Sequence, residues 1–321
     1  MFQQTINLKK VKKLSVISIF IVFILSSCAS QPPQVIKEVI RDTVIINKIT
    51  ERYESARIAK LDKYKMSTTH YPAKGQDERV RFLIFHYTAL DNDTSIRVLT
   101  QQEVSSHYLV PNDYSDSIYV LVDETKRSWH AGASYWKNIN NINFSSIGIE
   151  IVNLGYTTTT PVSGNPDMAT ASRVFYDYPK HQMDKVAELA RDIIDRYQIE
   201  PVNVLAHSDI APQRKHDPGP KFPWKRLYDE YNIGAWYEEV HKNMYLSKFP
   251  YLEKDSTTFI LSVQQDLEKY GYEVPKTGIW DERTQKVITA FQYHFRPENY
   301  DGIIDAETWA ILKALILKYR S

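Results

Sequence analysis

Arg81-Phe82-Leu83-Ile84-Phe85-His86-Tyr87 is a short, nearly continuous apolar run that closes on a histidine and a tyrosine. Such a run fits a strand buried on both faces of a covered sheet. Two other stretches read the same way: Ser146 to Val152 alternates, and Val202 to His207 is apolar again. Between them, Met183 to Tyr197 places Val186, Leu189, Ala190, Ile193, Ile194 and Tyr197 at helical spacing. That helix is expected to stop at Gln198-Ile199-Glu200-Pro201, because proline disfavours helix in the residue before it. Strands alternating with helices from about Tyr64 to Pro250 give an α/β layer fold. His86, Glu150 and His207 each fall late in an expected strand. Ligands of open α/β sheets gather beyond the carboxyl ends of strands, so the three converge on one cleft.

Glu150 alternates away from Ile147, Ile149 and Ile151 and therefore faces opposite to them. A carboxylate on so apolar a strand is costly unless it meets water, a cation or a proton to transfer.

The chain has 321 residues, 43% hydrophobic and 25% charged, which is globular material with room for two domains. Its formal charge of +1, from 40 basic and 39 acidic residues, points to no polyanion, and no nucleic-acid partner is expected. At the N-terminus, Lys9, Lys10, Lys12 and Lys13 precede an uncharged, mostly apolar run from Leu14 to Leu25. The run is too short to span a bilayer comfortably and reads as a secretory signal, residues 1–27. It ends in Leu25-Ser26-Ser27-Cys28, which resembles a bacterial lipobox whose cysteine receives lipid. Cys28 is then the membrane anchor. Ala29, where aspartate would favour inner-membrane retention, points to the outer membrane, with the chain facing the periplasm.

Cys28 is the sole cysteine, so no internal disulfide is possible and a catalytic metal must be held by imidazole and carboxylate. Residues 28–63 read as a tether. Gln31-Pro32-Pro33-Gln34 opens it, and Val35, Ile36, Val39, Ile40, Val44, Ile45, Ile46 and Ile49 recur at irregular spacing. A helical stalk and an edge strand both fit, and a spacer role is favoured over partner binding.

The motifs Phe85-His86-Tyr87-Thr88-Ala89, Ser105-Ser106-His107-Tyr108-Leu109-Val110, Trp129-His130-Ala131-Gly132, Ser145-Ser146-Ile147-Gly148-Ile149-Glu150 and His207-Ser208-Asp209-Ile210-Ala211-Pro212-Gln213-Arg214-Lys215 occur in this order. Together they resemble the zinc N-acetylmuramoyl-L-alanine amidases of the bacterial envelope. The likeness is to the AmiD-type lipoprotein amidases, relatives of the peptidoglycan recognition proteins and of phage T7 lysozyme. It covers about residues 65 to 245 and implies a mixed central sheet flanked by helices over residues 64–250.

The resemblance implies Zn2+ held by His86, His207 and Asp217, with water at the fourth position. Three nitrogen and oxygen ligands with one open site are what catalytic zinc uses. His216 is the alternative to Asp217, although Asp217-Pro218-Gly219-Pro220 matches the family pattern. Glu150 is implied as general base and Lys215 as the cation that steadies the oxyanion. His107 and His130 fall inside matching motifs, where they line the substrate groove or orient ligands; packing and hydrogen bonding are equally open to them. Gly155 to Pro179, rich in threonine, proline, serine and glycine, reads as a long loop beside the cleft.

Near the C-terminus, Gly278-Ile279-Trp280-Asp281-Glu282-Arg283-Thr284 repeats as Gly302-Ile303-Ile304-Asp305-Ala306-Glu307-Thr308 after 24 residues. Each aspartate can cap a helix starting just after it. Val287, Ile288 and Phe291 correspond to Ile311, Leu312 and Leu315, and Val263, Leu267 and Tyr270 lie on an earlier helix. Three helices around one small core, over residues 255–321, are similar to the peptidoglycan-binding module of wall hydrolases. A helical cap that merely stabilises the main domain has the same pattern. The function implied is hydrolysis of the amide between muramic acid and L-alanine in peptidoglycan or muropeptides. A non-catalytic wall receptor and a zinc peptidase acting within the stem peptide are the alternatives.

Overall fold

The computed structural model describes residues 36–40, 44–48, 61–67, 73–159 and 172–320. Cys28 and the expected signal lie outside the described residues. Two compact units are present, Met1–Gln76 and Asp77–Ser321.

In the first unit, β1 (Ile36–Ile40) and β2 (Val44–Lys48) pair antiparallel, with Ile40 opposite Val44. These two segments of the expected tether are thus paired strands, as valine and isoleucine favour. No helix among the described residues is long and apolar enough to cross a membrane.

The second unit is built on a mixed five-stranded sheet ordered β11-β3-β8-β4-β5. Its strands are β3 (Phe82–Tyr87), β4 (Tyr108–Val110), β5 (Tyr119–Val120), β8 (Ser146–Ile151) and β11 (Val204–Ala206). The first four in the order run parallel, and β5 pairs antiparallel to β4. Phe82, Leu83, Ile84 and Phe85 are all buried, which explains the unbroken apolar run: β3 is covered on both faces. Each such side chain contributes about 1.5–3 kcal/mol by leaving water.

Helix α1 (Asn92–Gln101) follows β3 and is capped by Asp91, whose side chain accepts from the Thr94 amide. Helix α2 (Lys180–Tyr197) turns Met183, Val186, Ala187, Ala190, Ile193 and Ile194 into the core and ends on Gln198 in the left-handed conformation. Two small ribbons complete the sheet region. One joins β6 (Tyr135–Trp136) to β7 (Ile139–Asn140); the other pairs β9 (Tyr156–Thr159) with β10 (Ser172–Phe175). The stretch read as one long loop from Gly155 therefore has two paired arms, and residues 160–171 lie outside the described residues.

The sequence expectation for the third strand needs one correction. β11 ends at Ala206, and His207 opens a short helix, α3 (His207–Ile210), rather than closing the strand. The cause is the Asp209 carboxylate, which accepts from the Ala206 amide at 2.8 Å and bends the chain into a turn there.

Helices α4 (Trp224–Tyr231) and α5 (Glu239–Leu246) lead to three more: α6 (Thr257–Tyr270), α7 (Glu282–Phe295) and α8 (Ala306–Tyr319). Asp281 and Asp305 cap α7 and α8 by accepting from the Thr284 and Thr308 amides. Each repeated turn is gripped by a buried glutamine. Gln264 accepts from the Gly278 amide at 2.8 Å and donates to Thr284; Gln292 does the same with Gly302 and Thr308. Both glycines have positive φ, 69° and 75°, which their turns require. The apolar side chains of these helices join those of the sheet in one continuous core.

Candidate active site

β3 and β8 place His86 and Glu150 at the same register position on one face. α3 brings His207 to that face, and Asp217 arrives on the loop that follows it. A backbone bond from the Ser208 amide to the Asp217 carbonyl, 2.9 Å, ties those two segments together.

Three atoms converge. His86 Nδ1 lies 2.9 Å from His207 Nδ1 and 3.0 Å from Asp217 Oδ2, and His207 Nδ1 lies 2.9 Å from the same oxygen. All three residues are buried. The far side of each ring decides what these atoms offer. His207 Nε2 faces the Ala131 carbonyl at 3.1 Å, an acceptor, so its proton sits there and Nδ1 presents a lone pair. His86 Nε2 lies 2.9 Å from His130 Nδ1, and His130 Nε2 lies 3.0 Å from Ser146 Oγ; with its proton on Nε2, shared with His130, His86 presents Nδ1 in the same state. Two lone pairs and a carboxylate oxygen meet head-on, an arrangement that a cation between them satisfies. Among the described residues these are the group of histidine and carboxylate side chains able to hold a metal ion.

Electrostatics agree with a neutral His86 ring. Burial, then the neighbouring His207, pushes His86 down to about 4. Glu150 goes the other way: burial first, then the charge of Asp217, pushes it up to about 8, with Lys215 opposing. Its Oε2 is sealed from solvent and, among the described residues, without a hydrogen-bond partner.

A cleft of about 230 Å³ opens over the site, lined in part by Glu150, His207, Lys215, Asp217, His130 and Trp129. Trp129 is half exposed. Lys215 lines the cleft. His216 points elsewhere, with its ring 6.1 Å from Tyr156 and 6.2 Å from Tyr293, so it stands apart from the converging atoms.

His130 both lines the cleft and backs His86. His107 is fully buried; its Nδ1 accepts from the Gly148 amide and its Nε2 donates to the Lys126 carbonyl. Of the roles open to His107, hydrogen bonding within the fold is the one this geometry favours. Sequence reasoning missed the supports. Gly148 is one: a Cβ there would stand 2.5 Å from the His130 ring, so only glycine lets His130 reach His86. Arg214 is another, donating to the Ala131 and Ala133 carbonyls and so fixing the acceptor of His207.

Comparison with known proteins follows the same outline. Residues 76–220 match the family profile described as N-acetylmuramoyl-L-alanine amidase, and residues 256–312 match that of a putative peptidoglycan binding domain. N-acetylmuramoyl-L-alanine amidase AmiD of Escherichia coli K12 is 41% identical over 265 residues, spanning 81% of this chain and 88% of the relative. The solved complex of E. coli AmiD with anhydro-N-acetylmuramic acid-L-Ala-D-gamma-Glu-L-Lys superposes with a TM-score of 0.69 at 39% identity, over 81% of this chain and 97% of that one. AmpDh3 of Pseudomonas aeruginosa with an anhydromuramic pentapeptide gives a TM-score of 0.69 at 40% identity, covering 80% of this chain and 99% of the other. Sheet, cleft and helical region all lie within these matches, and the chain belongs to the N-acetylmuramoyl-L-alanine amidase family.

Proposed function

We propose that this chain hydrolyses the amide between the lactyl group of N-acetylmuramic acid and L-alanine, in peptidoglycan or its anhydro-muramyl fragments, using a zinc ion held by His86, His207 and Asp217. The observation that carries this is the convergence of three lone-pair atoms at 2.9–3.0 Å beside Glu150 and Lys215 in one cleft.

A zinc ion held by His86, His207 and Asp217 would supply a water of pKa about 7 and polarise a carbonyl. The chain's own groups do the rest. Glu150 takes a proton from the attacking water and delivers it to the leaving nitrogen of L-alanine as the C–N bond breaks, so the products are a lactyl carboxylate and a free amine. A carboxyl raised to about 8 is protonated at neutral pH; a cation beside it lowers that value and makes it the base. The Lys215 ammonium donates to the oxygen that gains charge as the carbonyl becomes tetrahedral. His130 and the Ala131 carbonyl keep the two histidine rings aimed. Trp129 covers the apolar side of the substrate.

The wider reading has four parts: a signal over residues 1–27, a lipid-anchored tether over 28–63, an amidase region over 64–250 and a wall-binding region over 255–321. Lipid on Cys28 holds the enzyme at the outer membrane facing the periplasm, where its polymer lies. Supports are the basic stretch before Leu14, the lipobox-like Leu25-Ser26-Ser27-Cys28 and the match to a wall-binding family.

Hydrolysis in ¹⁸O-water tests the reaction. The label is expected in the muramic lactyl carboxylate, with an intact peptide beginning at L-alanine; label inside a cut stem peptide would overturn the amidase reading in favour of a peptidase.

A further inference from the structure

Asp209 lies two residues after His207 and is fully buried. Its Oδ2 accepts from the Ala206 amide, closing the turn that presents His207. The remaining capacity of the carboxylate is filled from the C-terminal helical region. Tyr272 donates its hydroxyl to Oδ1 at 2.6 Å, and His294 donates from Nδ1 to Oδ2 at 2.7 Å. Tyr272 and His294 are themselves buried and held by rings: Tyr272 packs edge-on to Trp136 at 4.9 Å, and His294 stacks on Trp224 at 3.7 Å.

A buried carboxylate is costly without donors, so Asp209 settles where Tyr272 and His294 direct it. Where Asp209 settles fixes the Ala206 amide and with it the direction of the His207 ring. The same turn carries the Ser208 amide bond to Asp217, so two of the three converging residues depend on it.

We propose that Tyr272 and His294 are positioning residues of the hydrolytic site, holding the His207 turn through Asp209. The helical region then sets the geometry of the metal ligands as well as contacting the wall. The inference rests on the zinc reading of His86, His207 and Asp217.

The test uses the full exported chain with Tyr272→Phe, His294→Leu and His294→Asn, all verified as folded by circular dichroism. Zinc affinity is read by chelator competition, alongside kcat and KM on an anhydro-muramyl peptide. Tyr272→Phe and His294→Leu are expected to lose about tenfold or more in zinc affinity, with kcat lowered and KM little changed. His294→Asn, whose side-chain amide reaches the place of the ring Nδ1, is expected to regain most of both. Variants that melt earlier yet keep the zinc affinity and kcat of the unsubstituted chain would overturn the proposal and leave these residues a packing role. If the unsubstituted chain binds zinc but cleaves no muropeptide, the amidase reading falls while the affinity comparison still decides the positioning role.

Discussion

His86 and Glu150 stand opposite each other in register on the adjacent parallel strands β3 and β8. Side chains of such a pair leave the same face of the sheet, so a ring that offers a lone pair and a carboxyl that can move a proton are delivered to one cleft by backbone pairing alone. This pairing separates two roles that mutation can distinguish.

Glu150→Gln keeps shape and removes the proton acceptor. It is expected to retain one zinc per chain by elemental analysis while kcat falls about 10²–10⁴-fold. His86→Ala and Asp217→Ala are expected to lose zinc and turnover together. Substantial turnover by Glu150→Gln would remove Glu150 from its role.

Gly148→Ala tests the support behind His86. The added methyl meets the His130 ring at 2.5 Å, and overpacking of this kind costs about 1–3 kcal/mol. Displaced, His130 no longer accepts from His86 Nε2, so zinc affinity is expected to fall with stability. Urea unfolding and chelator competition on the same variant measure both.

The pH dependence of the metal-free protein follows from two opposed shifts. His86, lowered from 6.5 to about 4, makes the unfolded chain bind more protons between those values, so stability rises with pH there. Glu150, raised from 4.5 to about 8, makes the folded chain hold the extra proton, so stability falls as pH rises from 4.5 to about 8. His130, His107 and His216, also lowered by burial, act in the same sense as His86, so histidines and Glu150 oppose each other up to about 6.5 and Glu150 dominates above it. Melting temperature in chelator is therefore expected to decline between about 6.5 and 8, and Glu150→Gln is expected to abolish that decline. An unchanged decline in Glu150→Gln would refute the assignment.

Asp281→Ala and Asp305→Ala remove equivalent caps from the repeated turns, each worth about 1 kcal/mol. Asp305 also accepts from Arg296 at 2.5 Å with both oxygens, whereas among the described residues Asp281 has no arginine partner of that kind. Chemical denaturation is expected to show the larger loss for Asp305→Ala; equal losses would mean that the Arg296 pair adds nothing.

Much of this molecule is legible in its sequence, for identifiable reasons. Phe82 to Phe85 read as a buried strand because nothing polar interrupts them, and α2 because its apolar positions repeat at 3.6 residues. Asp281 and Asp305 read as caps because capping is local. What was not legible depends on distance along the chain. The Asp209 carboxylate is held by Tyr272 and His294, 63 and 85 residues away, and His86 is backed by His130, 44 residues away. The β9–β10 ribbon escaped because Tyr156 to Thr159 is a polar threonine run without apolar alternation.

The most direct test is mass spectrometry of purified anhydro-muramyl tripeptide incubated with the chain from Gln31, first stripped of metal and then resupplied with zinc. The account predicts no cleavage without metal and, with zinc, release of a peptide beginning at L-alanine together with free anhydro-muramic acid. Intact substrate after zinc is restored, with zinc bound and the fold unchanged, would contradict it.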